Sequence, residues 1–125
     1  MDSNFLFIPF QFRVDIFEEL SRLLGGYEPI VLSTTIKELK GLVRSGSEKV
    51  GRLASSALSL TNKCRIMEVE RRLGETYDDV IVRVAKEIGC AVATNDHELR
   101  KRLRREGITT IFLRERSHLE LEGYV

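Results

Sequence analysis

The 125-residue sequence predicts an α/β protein, with helices packed around a parallel sheet. Two observations carry that expectation. Apolar residues recur at helical spacing in five separate stretches, and between them lie short runs rich in β-branched residues. Taken in order they read α, β, α, α, β, α, β, α, β. Charged residues make up 31% and hydrophobic ones 42%, a balance that fits a folded, soluble chain with one ordinary core.

Each element has its own signal. Residues 14–26 place Ile16, Phe17, Leu20, Leu23 and Leu24 on one face and end in glycines, which predicts a helix. PIVLS (29–33) reads as a strand and residues 34–46 as the helix after it. A second helix over 47–60 carries Val50, Leu53, Ala54, Ala57 and Leu58 on one stripe, and CRIMEVE (64–70) reads as the next strand. Residues 76–89 give Tyr77, Ile81, Val84, Ala85 and Ile88 at helical spacing, closed by Gly89. CAVAT (90–94) is a strand, 97–107 a helix, and ITTIFLR (108–114) the last strand. The tail from Glu115 has no clear period. A parallel sheet of this kind would begin with a strand, yet only Met1 precedes Asp2.

No apolar run reaches the roughly 20 residues a membrane span needs. MDSNFLFIPFQFR lacks the basic lead of a signal peptide, because Asp2 comes at once. Cys64 and Cys90 sit at the edges of apolar segments, outside any Cys-x-x-Cys pair, and read as buried free thiols suited to a reducing cytoplasm. Net charge is +1, so the chain as a whole does not have the basic excess of a nucleic-acid binder. The charge is unevenly spread, however. Between His97 and Arg116 stand seven basic residues and three acidic ones.

In open α/β sheets, sites form where strands end and the chain turns into the next helix. Asp96 lies just past CAVAT, Glu38 shortly after PIVLS, and Asp78 and Asp79 open the helix before CAVAT. Asp2 begins the chain. All can face one rim, and converged carboxylates repel one another unless a cation sits between them. Oxygen ligands with no sulfur and no well-spaced histidine favour Mg²⁺ or Mn²⁺, ions that activate water and offset charge on a phosphate. His97 and His118 read as surface residues.

Helix capping competes for the same residues. Thr35-Ile36-Lys37-Glu38 matches a capping box, which would make Glu38 a helix-terminal partner only. Thr76 with Asp79 matches another, leaving Asp78 spare and so the better site residue of the two. Asn95 with Glu98 would cap the next helix and leave Asp96 spare. For the basic stretch, the alternative to nucleic-acid contact is a solvated helix face with cations near its C-terminal end.

DSNFL (2–6), KEL (37–39), DDVIVRVAKEIG (78–89) and ATNDHEL (93–99) resemble, in order and spacing, the motifs of the PIN domain, named for the PilT N-terminus. Residues 92–123 are similar to an archaeal stand-alone branch that itself resembles a eukaryotic small-subunit ribosomal RNA processing endonuclease. The resemblance covers nearly the whole chain. It implies a three-layer α/β/α fold with a central parallel sheet of about five strands, in a single domain over residues 1–125. It also implies a Mg²⁺- or Mn²⁺-dependent endoribonuclease whose acids are Asp2, Glu38, Asp78 and Asp96, supported by Ser3, Asn4, Asp79, Thr94 and Asn95. RNA backbone contacts would come from Arg100, Lys101 and Arg104. Partners implied are RNA, a second copy in a homodimer, and ribosome-assembly factors, with no membrane. Two other functions stay open: a PIN ribonuclease toxin of a toxin–antitoxin pair, and a PIN-fold RNA-binding module without catalysis. The family has an apolar strand ahead of its first Asp. Here either the natural chain starts further upstream, or NFLFI supplies the strand and takes Asp2 away from the site.

Overall fold

The computed structural model describes residues 1–123. Among the described residues, five of the six α-helices and four of the five strands fall where the apolar patterns place them. The helices are α1 (Ser3–Phe12), α2 (Ile16–Leu24), α3 (Ser33–Ser45), α4 (Glu48–Leu60), α5 (Tyr77–Ile88) and α6 (His97–Arg105), and a single 3-10 turn covers Thr61–Lys63. The strands are β1 (Ile30–Leu32), β2 (Arg65–Met67), β3 (Val92–Ala93), β4 (Thr110–Arg114) and β5 (His118–Glu122).

The strands form two ladders. β1 pairs in parallel with β2, Val31 opposite Ile66; β3 pairs in parallel with β4, Val92 opposite Thr110. β5 runs antiparallel to β4, with Phe112 opposite Glu120. The first two residues stand between the ladders. The Met1 ammonium donates to Ile30 O at 3.1 Å, and the Asp2 amide donates to Ala93 O at 3.1 Å. Met1 and Asp2 thus hold the place of a central strand, and they fix Asp2 at the rim where β1 and β3 end.

NFLFI is not a strand. It lies inside α1, whose N-cap is Asp2, so the helix begins beyond the acid and leaves Asp2 in place. Phe5, Leu6, Phe7 and Ile8 are all buried, an unbroken apolar run that leaves only Ser3, Asn4 and Gln11 as polar positions and so hides the helical period. Pro9 removes one N–H from the helix, which closes at Arg13 in the left-handed region (φ 57°).

β5 also departs from expectation. Leu119 is fully buried and faces the core, while His118, Glu120 and Glu122 are half-buried. The β4–β5 turn places Glu115 and Arg116 at φ 54° and 60°, conformations usually signalled by Asn-Gly. Glu-Arg carries no such signal.

Helices cover both faces of the sheet. On one side Phe5, Leu6, Ile8, Ile16, Leu20 and Leu39 pack with Val31, Ile111 and Leu119. On the other, Val80, Val84, Leu99 and Leu103 from α5 and α6 pack with Leu32 and Val92. Cys64 and Cys90 are half-buried free thiols. Among the described residues no helix is long and apolar enough to cross a membrane.

Candidate active site

Asp2 is 4% exposed and both its oxygens are engaged. Oδ1 accepts from the Phe5 amide at 2.9 Å, capping α1, and Oδ2 accepts from the Thr94 hydroxyl at 2.5 Å. Its pKa is pushed up to about 6. Burial is the largest cause, the bonds from Thr94 and Phe5 and the Met1 ammonium oppose it, and the charge of Asp78 adds to it. Burial likewise pushes the Met1 ammonium down.

Thr94 follows β3 directly and is fully buried. Its amide donates to Ile111 O at 3.0 Å, which fixes its direction, and its hydroxyl accepts from the Asp96 amide at 3.0 Å while donating to Asp2. One hydroxyl thereby connects the first acid to the turn that carries the fourth. Asp96 is itself the N-cap of α6, its Oδ1 accepting from the Leu99 amide at 3.0 Å. The expectation that Asn95 caps this helix is wrong. α6 starts one residue later than an Asn95 cap requires, and Asn95 is exposed.

Asp78 opens α5, half-buried, with its carboxyl held above the usual range. Burial comes first, then the charge of Asp96, with Arg102 acting against them and Asp79 adding a little. Asp79 takes the capping role. Its amide donates to Thr76 Oγ1 at 3.1 Å, its Oδ2 accepts from the Thr76 amide at 2.8 Å, and its Oδ1 accepts from Arg102 Nη1 at 2.6 Å.

Glu38 is not a capping residue. α3 begins at Ser33 with Leu32 as N-cap and no side-chain cap, so Thr35 lies inside the helix, buried, and Glu38 falls in the second turn. Burial raises its pKa, a hydrogen bond from Ser3 lowers it, and the charge of Asp78 raises it again. Ser3, in the first turn of α1, therefore supports Glu38. Asn4 is exposed.

Asp78 is the hub. Its charge bears on Asp2 and on Glu38, and the charge of Asp96 bears on it. The four acids come from α1's start, α3, α5 and the β3–α6 turn, and they share one electrostatic neighbourhood. Yet among the described residues no three of Asp, Glu, His and Cys stand together in a geometry that would hold an ion. The capping contacts account for this at two of the four. Asp2 has both oxygens committed to hydrogen bonds and Asp96 one. The donor set itself suits a hard divalent cation, being made of carboxylate oxygens, and burial with the charge of neighbouring acids holds Asp2, Glu38 and Asp78 above their usual pKa.

The basic residues divide. Arg100 stacks over Phe112 at 3.8 Å and lies 3.6 Å from Glu122, and Arg104 lies 3.2 Å from Glu122. Lys101 is exposed and at 4.0 Å from Glu98 is only loosely held. Arg102, which the basic-helix reading passed over, pairs with Asp79 at 2.6 Å and bears on Asp78. Its position three residues after the buried Leu99 is the periodic signal that turns it inward. His97 is exposed, and His118 is half-exposed beside Glu120.

An α/β sandwich that brings four acids to the rim where the strands of a mostly parallel sheet end has its candidate site where open α/β folds bind their ligands. The family model described as PIN like domain matches residues 1–116, and the chain belongs to that family. It is 29% identical to Ribonuclease VapC4 of Methanocaldococcus jannaschii, over 99% of this chain and 95% of that protein. Ribonuclease VapC9 of Archaeoglobus fulgidus is 28% identical, over 98% and 87% of the two chains. The solved structure of the PIN domain endonuclease Utp24 superposes with a TM-score of 0.77 at 26% identity, covering 99% of this chain and 90% of that one.

Proposed function

We propose that this protein is a Mg²⁺- or Mn²⁺-dependent endoribonuclease that hydrolyses RNA phosphodiesters, with Asp2, Glu38, Asp78 and Asp96 as its acids. The observation that carries the proposal is the position of Asp78, whose electrostatic neighbours are the three other acids. Two relatives named ribonuclease and one structural neighbour named endonuclease support the same chemistry.

Asp78 and Asp96, with Asp2 and Glu38, would hold the cation. Once bound, it supplies charge for water activation and for the developing negative charge on phosphate oxygens. The chain's own parts do the rest. Thr94 keeps Asp2 and the Asp96 turn in one arrangement, Ser3 orients Glu38, and Arg102 limits the repulsion around Asp78. The basic face of α6 meets RNA phosphates through Lys101 first. Arg100 and Arg104 reach the backbone only by sharing their guanidinium groups with Glu122. RNA processing, including that of ribosomal RNA, is the role the resemblance to the processing branch favours; the VapC-named relatives favour the toxin alternative.

The test is Mn²⁺-dependent cleavage of a labelled structured RNA by the wild type and by Asp96→Asn. Asparagine caps helices as well as aspartate does, so this variant keeps α6. Cleavage that stops with chelator and with Asp96→Asn supports the nuclease. RNA binding by both proteins without cleavage replaces it with the binding module. Growth arrest on expression, relieved by a small cognate protein, identifies a toxin.

A further inference from the structure

The two outer strands, β5 and β2, are treated differently by the rest of the chain. At β5 the outward backbone groups of Leu119 are taken up by α2. The Leu119 amide donates to Glu19 Oε1 at 2.9 Å, and Arg22 Nη2 donates to Leu119 O at 3.0 Å. Glu19 and Arg22 also pair with each other at 3.0 Å, so together they stand where a further strand would.

β2 has no such cover. The Arg65 amide donates to Pro29 O beside β1 at 2.9 Å, and Met67 lies opposite Leu32. Alternation therefore turns the Ile66 N–H and C=O away from β1, towards the open side. Ile66 is 40% exposed, and among the described residues no hydrogen bond covers those outward groups. The same strand borders a groove of about 740 Å³. α3 lines it with Ile36, Lys37 and Lys40, α4 with Leu58, and β2 with Ile66 and Glu68. Lys37 and Lys40 are exposed and, among the described residues, have no ion-pair partner. Arg65, the neighbouring cation on β2, is already paired with Glu28 at 2.8 Å.

We propose that the β2 edge is a docking site for an extended segment of another protein, whose groove-facing residues are acidic on either side of an apolar one. Its backbone adds a ladder at Ile66, its apolar side chain covers Ile36, Leu58 and Ile66, and its acids meet Lys37 and Lys40. Main-chain bonds give such a segment affinity, and the groove gives it selectivity. An RNA strand would satisfy the lysines, but it brings no amide ladder to Ile66 and no match for the apolar lining. α3 carries Glu38 between the two lysines in sequence, so the partner sits on the helix that presents the second acid. The inference is independent of the nuclease proposal, since its readouts are binding and amide exchange.

The experiment follows amide exchange in the full chain with saturating Ac-Thr-Asp-Thr-Ile-Thr-Glu-Thr-NH2, whose acids and isoleucine share one face of a strand. Ac-Thr-Lys-Thr-Ile-Thr-Lys-Thr-NH2 and a single-stranded RNA oligonucleotide are the comparisons. The acidic peptide should slow exchange of the Ile66 amide by roughly tenfold or more. The Leu119 amide, already bonded to Glu19, should not change. Reversing both lysines, Lys37→Glu with Lys40→Glu, should transfer the protection to the basic peptide while leaving β2 untouched. Ile66→Pro removes the outward N–H where an edge strand tolerates proline, and should weaken the acidic peptide by at least about tenfold. Failure of either peptide to slow the Ile66 amide, or equal slowing by both, overturns the proposal. Slowing by the RNA and not by the acidic peptide also overturns it, and makes the groove a nucleic-acid surface.

Discussion

Replacing Asp2 by asparagine should stabilise the protein at neutral pH when no divalent cation is present. Asp2 titrates at about 6, against 3.8 for an unburied aspartate. A folded-state pKa above the unfolded one means that the native chain holds the proton more tightly. The resulting stability is fully present below about pH 4 and is lost as pH rises through 6. The difference of about two units corresponds to roughly 3 kcal/mol at about 1.36 kcal/mol per unit. Asparagine keeps an oxygen for the Phe5 amide but cannot accept from the Thr94 hydroxyl as the carboxylate does, a loss of about 1 kcal/mol. The net gain for Asp2→Asn is then about 2 kcal/mol at pH 7 and above. At pH 4 the variant should be the less stable of the two by about 1 kcal/mol. The assay is urea denaturation in chelator from pH 4 to pH 7.5, read as variant minus wild type, so that groups shifted in both proteins cancel. A difference that stays flat across that window would refute the placement of Asp2 as a buried carboxylate held near neutrality.

Other consequences can be checked by similar means. Thr94→Val removes a buried hydroxyl serving both Asp2 and the Asp96 amide, and should cost about 2–3 kcal/mol in urea denaturation, with Thr94→Ser restoring most of it. Arg102→Ala breaks an ion pair whose side chains are 42% and 29% exposed, so its stability cost should be at most about 1 kcal/mol. The same variant should raise the pKa of Asp78 further, read by carboxyl NMR titration, since Arg102 is the cation acting against its rise. Mn²⁺ should raise Tm more at pH 7.5 than at pH 5.5, because protons compete for the same carboxylates; Asp78→Asn should remove most of that shift.

Much of this architecture is legible in the sequence because apolar periodicity survives wherever an element has one buried side. α2, α4 and α5 are read that way, and Gly89 ends α5 in the left-handed conformation its sequence position implies. Two elements escape for opposite reasons. In α1 four consecutive buried residues, Phe5 to Ile8, with the apolar Phe10 and Phe12 beyond them, mask the helical period. β5 is as long as β4, but the turn before it uses Glu115 and Arg116 where glycine or asparagine would have announced a hairpin. At the site, the Thr76–Asp79 box and the spare Asp78 follow from spacing alone. The roles of Glu38 and Asp96 do not, because each depended on a misplaced helix cap, Thr35 lying three residues after the actual cap Leu32 and Asn95 one residue before Asp96. Thr94 emerged only from the resemblance, since a buried hydroxyl joining residues 92 positions apart leaves no local pattern.

The most direct test of the account compares two neighbouring aspartates in one cleavage assay. Asp78 is the electrostatic centre of the acids, whereas Asp79 caps α5 and pairs with Arg102. With labelled structured RNA and Mn²⁺, Asp78→Asn should lose cleavage by at least about a hundredfold, about 2.7 kcal/mol of transition-state stabilisation. Asp79→Asn should stay within about tenfold of the wild type while losing some thermal stability. Equal losses from both variants, or a larger loss from Asp79→Asn, would contradict the assignment of Asp78 as the centre of the site.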